Sequence, residues 1–166
     1  MRQMNADDWA RLYSLIDDDA EARDAVVMAA SDPAAFLEAH AEVLGEIGIT
    51  ETAQIDPWLA LIDGLDDAGA LAYLDPDDDG EQLADALAGV PRVVRGGIDV
   101  DAIGDVSSGL DDAIAAADAL LGGHALRLVF LDEGTDDVPL VVVPSGDADE
   151  IVALAARLGH TARVFD

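Results

Sequence analysis

A chain of 166 residues carries 36 Asp plus Glu against 8 Arg and no Lys, a net charge of −28, which allows one domain with a real core and excludes nucleic-acid binding through a basic patch. The absence of cysteine excludes disulfides, thiolate metal sites and thiol nucleophiles. Hydrophobic content of 51% excludes a mainly disordered chain, and no apolar run approaches the ~20 residues that cross a bilayer.

Residues 5–48 read as helical. Asn5 is placed to cap a first helix whose apolar stripe is Trp9, Leu12, Tyr13 and Ile16. Asp17-Asp18-Asp19 breaks it. A second helix spans Ala20 to Ala30. Asp32-Pro33 starts a third, which runs to about Leu44 with Phe36, Leu37, Val43 and Leu44 apolar. Residues 49–55 are a connector. This leading segment, 1–50, is expected to pack on an α/β core at 56–166 within a single domain.

The stretch Trp58–Leu87 reads as the hub of the fold. Asp56-Pro57 starts a helix with Trp58, Leu61, Ile62 and Leu65 on one face, and Gly69 stops it. Ala70 to Leu74 is a short strand. The loop Asp75-Pro76-Asp77-Asp78-Asp79-Gly80 follows, and a helix restarts over 81–88. After it, Arg92 to Arg95 reads as a short strand or extended loop, and 98–108 as irregular with room for one helical turn. Ser108 or Asp111 starts the next helix, with Leu110, Ile114, Ala117 and Leu121 on its face. Residues 125–131 (ALRLVFL) and 138–143 (VPLVVV) read as a hairpin around DEGTDD. A helix over 147–158 and a strand over 161–165 close the chain. The order implies an α+β fold: N-terminal helices, then a small, mainly antiparallel sheet of three to five strands with helices over one face.

The acidic loop begins like a calcium loop of the EF-hand type. Asp75, Asp77 and Asp79 stand at positions 1, 3 and 5, and Gly80 at position 6. Position 12 should be a bidentate Glu but is Ala86, and Asp85 before it points about 100° away around the helix. A solvated turn capping the next helix accounts for the same residues. The three aspartates are therefore the candidate Ca or Mg ligands of an alternative reading, and no cofactor is expected otherwise.

Other chemistry is sparse. A P-loop needs a lysine, and the chain has none. Ser107 and Ser108 lack the G-x-S-x-G setting of a nucleophile and suit a helix cap better. His40, His124 and His160 have no H-x-x-x-H pairing. His124 and His160 each precede a strand, so pairing of those strands would bring the rings to one sheet edge, where a carboxylate could complete a metal or acid/base site. Two ordinary helix-to-strand connector histidines are the plainer reading of the same residues. Arg92, Arg95 and Arg127 could hold an anion, or could anchor salt bridges of small worth.

The charge speaks about solvent. At roughly 1 M salt the Debye length falls to about 3 Å, and repulsion within such a surface is mostly screened. The composition thus suits a salt-rich cytoplasm and predicts a halophilic, archaeal source. A high-GC genome, which also favours Arg over Lys and enriches Ala, Gly, Asp and Val, is the competing explanation. The start, MRQMNADDWARL, has no apolar core of a signal peptide, so the expected location is cytoplasmic.

WLALIDGLDDAGALAYLD, the acidic loop, and then LRLVFLDEGTDDVPLVVVPSGDADEIVALAARLG together resemble the bacterial and archaeal family DUF6630. In that family a helix and strand lead into an acidic loop, and a late hairpin leads into a helix ending in Leu-Gly. Members often carry an aromatic residue in the second hairpin strand, where this chain has VPLVVVP. The resemblance implies an α+β fold in a family with no assigned activity, and transfers no catalytic residue. With no motif for catalysis, the expected function is a non-enzymatic binding or interaction domain with a protein partner. The alternatives are a divalent-cation binder or metal-assisted hydrolase at the Asp75–Gly80 loop, and a homo-oligomer that hides an edge strand such as Val138–Val143 against its copy.

Overall fold

The computed structural model describes the backbone of residues 2–165 and the side chains of residues 7–165. The chain folds as two compact units, 1–65 and 66–166, so the boundary falls inside the expected hub stretch.

The first unit is helical. Helix α1 (Arg2–Ile16) buries Trp9, Leu12, Tyr13, Leu15 and Ile16. Its backbone is already helical at Asn5, so the expected start there is corrected, and the Asn5 side chain lies outside the described ones. Asp19 caps α2 (Ala20–Ser31) by accepting from Glu21 N and Ala22 N. Asp32 caps α3 (Pro33–Ala39) through Ala35 N, with Pro33 in the first turn. The expected third helix is in fact two, because the chain turns at His40 before α4 (Ala41–Glu46). A 3-10 turn (Thr52–Gln54) leads to α5 (Pro57–Asp67), whose Trp58 N is capped by Asp56 at 2.9 Å. Trp58, Leu61, Ile62 and Leu65 are all buried, as the spacing required, and the Trp9 and Trp58 rings lie 6.3 Å apart and tilted.

Asp17 is the one buried charged side chain among the described residues. It accepts from Tyr13 Oη at 3.2 Å and from Asp19 N at 3.3 Å. Burial first, then the Asp17 charge and hydrogen bond, push the Tyr13 hydroxyl well above its ordinary value near 10. A raised acid pKa favours folding fully below the unfolded value and loses that contribution as pH climbs through and beyond 10. Tyr13→Phe removes a donor to a buried carboxylate, and is expected to cost about 1–3 kcal/mol at pH 8. The gap between variant and wild type should narrow above pH 10, measured by urea melts at both pH values. A gap independent of pH would show that the hydroxyl does not couple to folding.

The second unit is an antiparallel sheet with helices. Strand β1 (Leu71–Leu74) follows α5 and a left-handed Gly69. Then come α6 (Gly80–Ala88), α7 (Pro91–Arg95), a 3-10 helix (Asp101–Asp105) and α8 (Leu110–Gly122). The hairpin β2 (Leu126–Asp132) and β3 (Val138–Pro144), helix α9 (Ala148–Arg157) and β4 (Thr161–Val164) complete it. Residues 92–95 are therefore helical rather than extended: Pro91 fits the first turn, and the α7 backbone bonds close locally.

The sheet order is β1-β3-β2-β4, antiparallel throughout. β3 lies inside the sheet, so Val138–Val143 cannot serve as the free edge expected for it; the edges are β1 and β4. Ala72, Leu74, Leu128, Phe130, Leu140 and Val142 share one buried cluster with α6, α7 and α8. The alternate residues Val129, Leu131, Val141 and Val143 are buried as well. The sheet is thus covered on both faces, not one, and α9 packs along β4. Asp118 on α8 pins the start of β2 by accepting from Leu128 N at 3.0 Å and facing the Arg127 guanidinium at 3.5 Å, while Arg127 also donates to the Phe165 carbonyl.

Candidate functional site

The acidic loop is tied to itself. Asp75 Oδ1 accepts from Asp77 N at 2.9 Å, Asp78 Oδ2 accepts from Asp75 N at 2.8 Å, and Asp79 Oδ1 accepts from Glu81 N at 3.1 Å. Asp79 is the N-cap of α6, and Gln82 closes a capping box by accepting from Asp79 N at 3.0 Å. These bonds give each of Asp75 and Asp79 a backbone donor. Among the described residues no group of three or more His, Asp or Glu side chains is arranged to hold a metal ion.

Gly80 has its own reason in the fold. It is buried at the start of α6, its N–H donates to the Val106 carbonyl at 3.2 Å, and a Cβ would sit 2.5 Å from that oxygen and closer still to the Ile103 oxygen. The glycine that matches a calcium loop is therefore required by the close passage of the 3-10 helix over α6. Beside the loop an open cleft of about 420 Å³ is lined by Pro76, Ser108, Asp111, Asp112 and Val138. The expected serine cap is not there: Gly109 is the N-cap of α8, with no side-chain bond.

The histidines do not meet. β2 and β4 do pair, but antiparallel, with Asp132 opposite Thr161. His160 thus stands beside the end of β2 and His124 before its start, separated by roughly 20 Å or more of strand. His40 stacks on Phe36 in the first unit, ring centroids 4.5 Å apart.

Two of the three singled-out arginines come together. Arg92 and Arg95 line an open cleft of about 470 Å³ with His124, while Arg127 is engaged by Asp118 and the Phe165 carbonyl. At the hairpin turn, the Tyr73 hydroxyl shares its one proton between the Glu133 and Asp137 carboxylates, the latter at 3.1 Å, and Thr135 donates to Glu133 at 2.8 Å. Burial, then the hydrogen bonds to both carboxylates, raise the Tyr73 hydroxyl above its ordinary value. This cluster ties edge strand β1 to the hairpin.

The first unit holds a feature that the reading by sequence did not single out. An apolar groove is lined by Phe36, Leu44, Ile47, Ile49, Ile55 and Leu59, with Asp56 and Asp63 also on its walls. Val43 and Ile47 are each 62% exposed and Leu59 40%. The signal was present: α4 and the turn after it carry Val43, Leu44 and Ile47, more apolar surface than one face of a six-residue helix can bury.

A helical unit with an exposed apolar groove, joined to an antiparallel four-stranded α+β unit, defines the class of protein. The chain belongs to the DUF6630 family, whose model, described as a domain of unknown function, matches residues 8–165. The match takes in the leading helices as well as the sheet. No curated protein and no solved structure matches the chain. No helix among the described residues is long and apolar enough to cross a membrane.

Proposed function

We propose that this protein is a non-enzymatic interaction domain whose partner is another protein. The observation that supports the reading is the groove of the first unit, where Ile47 and Leu59 stay exposed around Phe36, Leu44 and Ile55. Large apolar side chains gathered at one surface groove mark a binding surface more often than singly scattered ones do. Asp56 and Asp63 on the groove walls, on a chain of net charge −28, favour a partner segment that pairs apolar anchors with basic flanks.

Replacing Ile47 by Glu tests this without touching a buried position. Cross-linking in cells, followed by recovery of the protein, should yield a specific partner with wild type and with Val94→Glu, whose site in the second unit is 60% exposed. Recovery of that partner should drop at least tenfold with Ile47→Glu, the scale of a hot-spot loss near 1.4 kcal/mol or more. Equal recovery with both variants would exclude the groove.

A further inference from the structure

The segment over 41–49 in the first unit is weakly held. Helix α4 has six residues, and Leu44 is its one buried side chain. The backbone N–H groups of Leu44, Ile47, Gly48 and Ile49 donate to the carbonyls of His40, Leu44, Gly45 and Leu44, all within the segment or next to it. Among the described residues, the one hydrogen bond that reaches it from further along the chain is long, from Gln54 Nε2 to the Gly48 carbonyl at 3.4 Å. A helix this short gains little from its own backbone bonds in water, and Gly45 in its interior weakens it further.

The segment also has open space on two flanks. Leu44, Ile47 and Ile49 border the apolar groove, a narrow space of about 80 Å³. Ala41, Gly45 and Ile49 border a second cleft of about 400 Å³, with Leu37 and Thr52 also on its walls. Beneath α4, Leu44 joins Ala29 and Phe36 in a small buried cluster, with Ile55 and Ala60 packed against it. Those floor residues belong to α2, α3 and α5 and the turn before α5, and each of the three helices is capped by its own aspartate. The floor therefore stays in place when α4 moves, and local opening needs only the loss of the Leu44 contact.

We infer that α4 is a strap whose Leu44 plugs this pocket, and that its opening frees the pocket for an aliphatic side chain of the partner. The inference rests on the groove reading above and deepens it: Leu44 displays the side-chain chemistry that the pocket already accepts. With the strap open, the two clefts join into one trough. The apparent affinity of any ligand that needs the open strap then scales with the open fraction. Two glycines set that fraction with opposite sign. Gly45 lies within the helix and its added Cβ meets nothing, so Ala there favours the closed strap. Gly48 follows the helix at φ +85° and its Cβ also meets nothing, so Ala there strains the closed strap through the backbone alone.

Amide hydrogen exchange on the intact chain, read by NMR, tests the opening. The amides of Leu44, Gly48 and Ile49 should exchange at least about a hundredfold faster than those of Leu61 and Leu65 in α5, as local opening requires. Fluorescence titration with the neutral apolar dye Nile red tests access to the pocket. Gly45→Ala should weaken dye binding about three- to fivefold, and Gly48→Ala should strengthen it by about the same factor. Equal protection of the strap and α5, or dye binding indifferent to both glycine variants, would overturn the strap. Partner recovery that ignores Ile47→Glu would instead reject the groove reading and leave the exchange and dye results standing, so the two fail separately.

Discussion

Gly80→Ala should lower the melting temperature by about 6–12 °C, the equivalent of about 3 kcal/mol of overpacking in a chain of this length. The added methyl group has nowhere to go. The carbonyl oxygens of Ile103 and Val106 occupy its place, and both belong to backbone rather than to a side chain that could swing away. Relief therefore requires the 3-10 helix to move off α6, and Ile103, Leu83 and Ala84 share one core cluster that resists the separation. The hydrogen bond from Gly80 N to Val106, 3.2 Å, would lengthen with it. Gly104→Ala is the matched comparison: its Cβ would meet only Ala84 Cβ at 3.8 Å and Glu81 Cα at 4.0 Å, ordinary contact distances, so its melting temperature should shift by a few degrees at most. Equal shifts for the two variants would mean that the contact between α6 and the 3-10 helix yields freely. Thermal melts followed by circular dichroism decide it.

Raising KCl from about 0.1 M to 3 M should stabilise the protein by several kcal/mol, seen as a rise of about 10 °C or more in the far-UV melting midpoint. The chain carries 36 carboxylates against 8 arginines, so most carboxylates have no arginine of their own. Like charges about 7–10 Å apart repel by roughly 0.4–0.6 kcal/mol each in water at low salt, and 36 carboxylates on a chain of 166 residues repel one another in this way. Part of the repulsion persists in the unfolded chain, so the net gain is a fraction of the sum. Screening removes it once the Debye length drops below the spacing between charges, about 3 Å at 1 M. A melting midpoint indifferent to KCl would overturn adaptation to salt and leave genome composition as the source of the acidity.

Both effects bear on how the sequence should be read. Local signals were legible. Asp19, Asp32, Asp56 and Asp79 each cap a helix, because a short carboxylate side chain reaches the free N–H groups of the first turn whatever lies further off. The Trp58, Leu61, Ile62, Leu65 stripe and the hairpin of β2 and β3 were equally plain, since helical and strand periods are written in consecutive residues. The family resemblance rested on those same stretches, and the match to residues 8–165 extends it to nearly the whole chain.

What failed depended on partners distant in sequence. Arg92 to Arg95 contains Val93 and Val94, residues with strand preference, yet Pro91 and the packing of Val93 into the second unit's core make it a helix. The run VPLVVVP does not alternate, which fits a strand buried on both faces, but only the pairing of β3 with β1 and β2 places it inside the sheet. The two histidines were brought no nearer by strand pairing, because antiparallel strands put the residues before them at opposite ends. The same holds for the apolar groove proposed to bind a partner and for the arginine cleft. The apolar groove needs α3, α4, the segment around Ile55 and α5 to converge, and the arginine cleft needs α7 beside His124 and Leu126. The sequence by itself determined the helix starts at Asp32, Asp56 and Asp79, which faces are apolar, and that the chain is overwhelmingly acidic, since each follows from neighbouring residues or from composition. Only the tertiary structure decided why position 80 must be glycine, which strands are edges and which cations share a cleft, because those depend on backbones and side chains that meet across long stretches of chain.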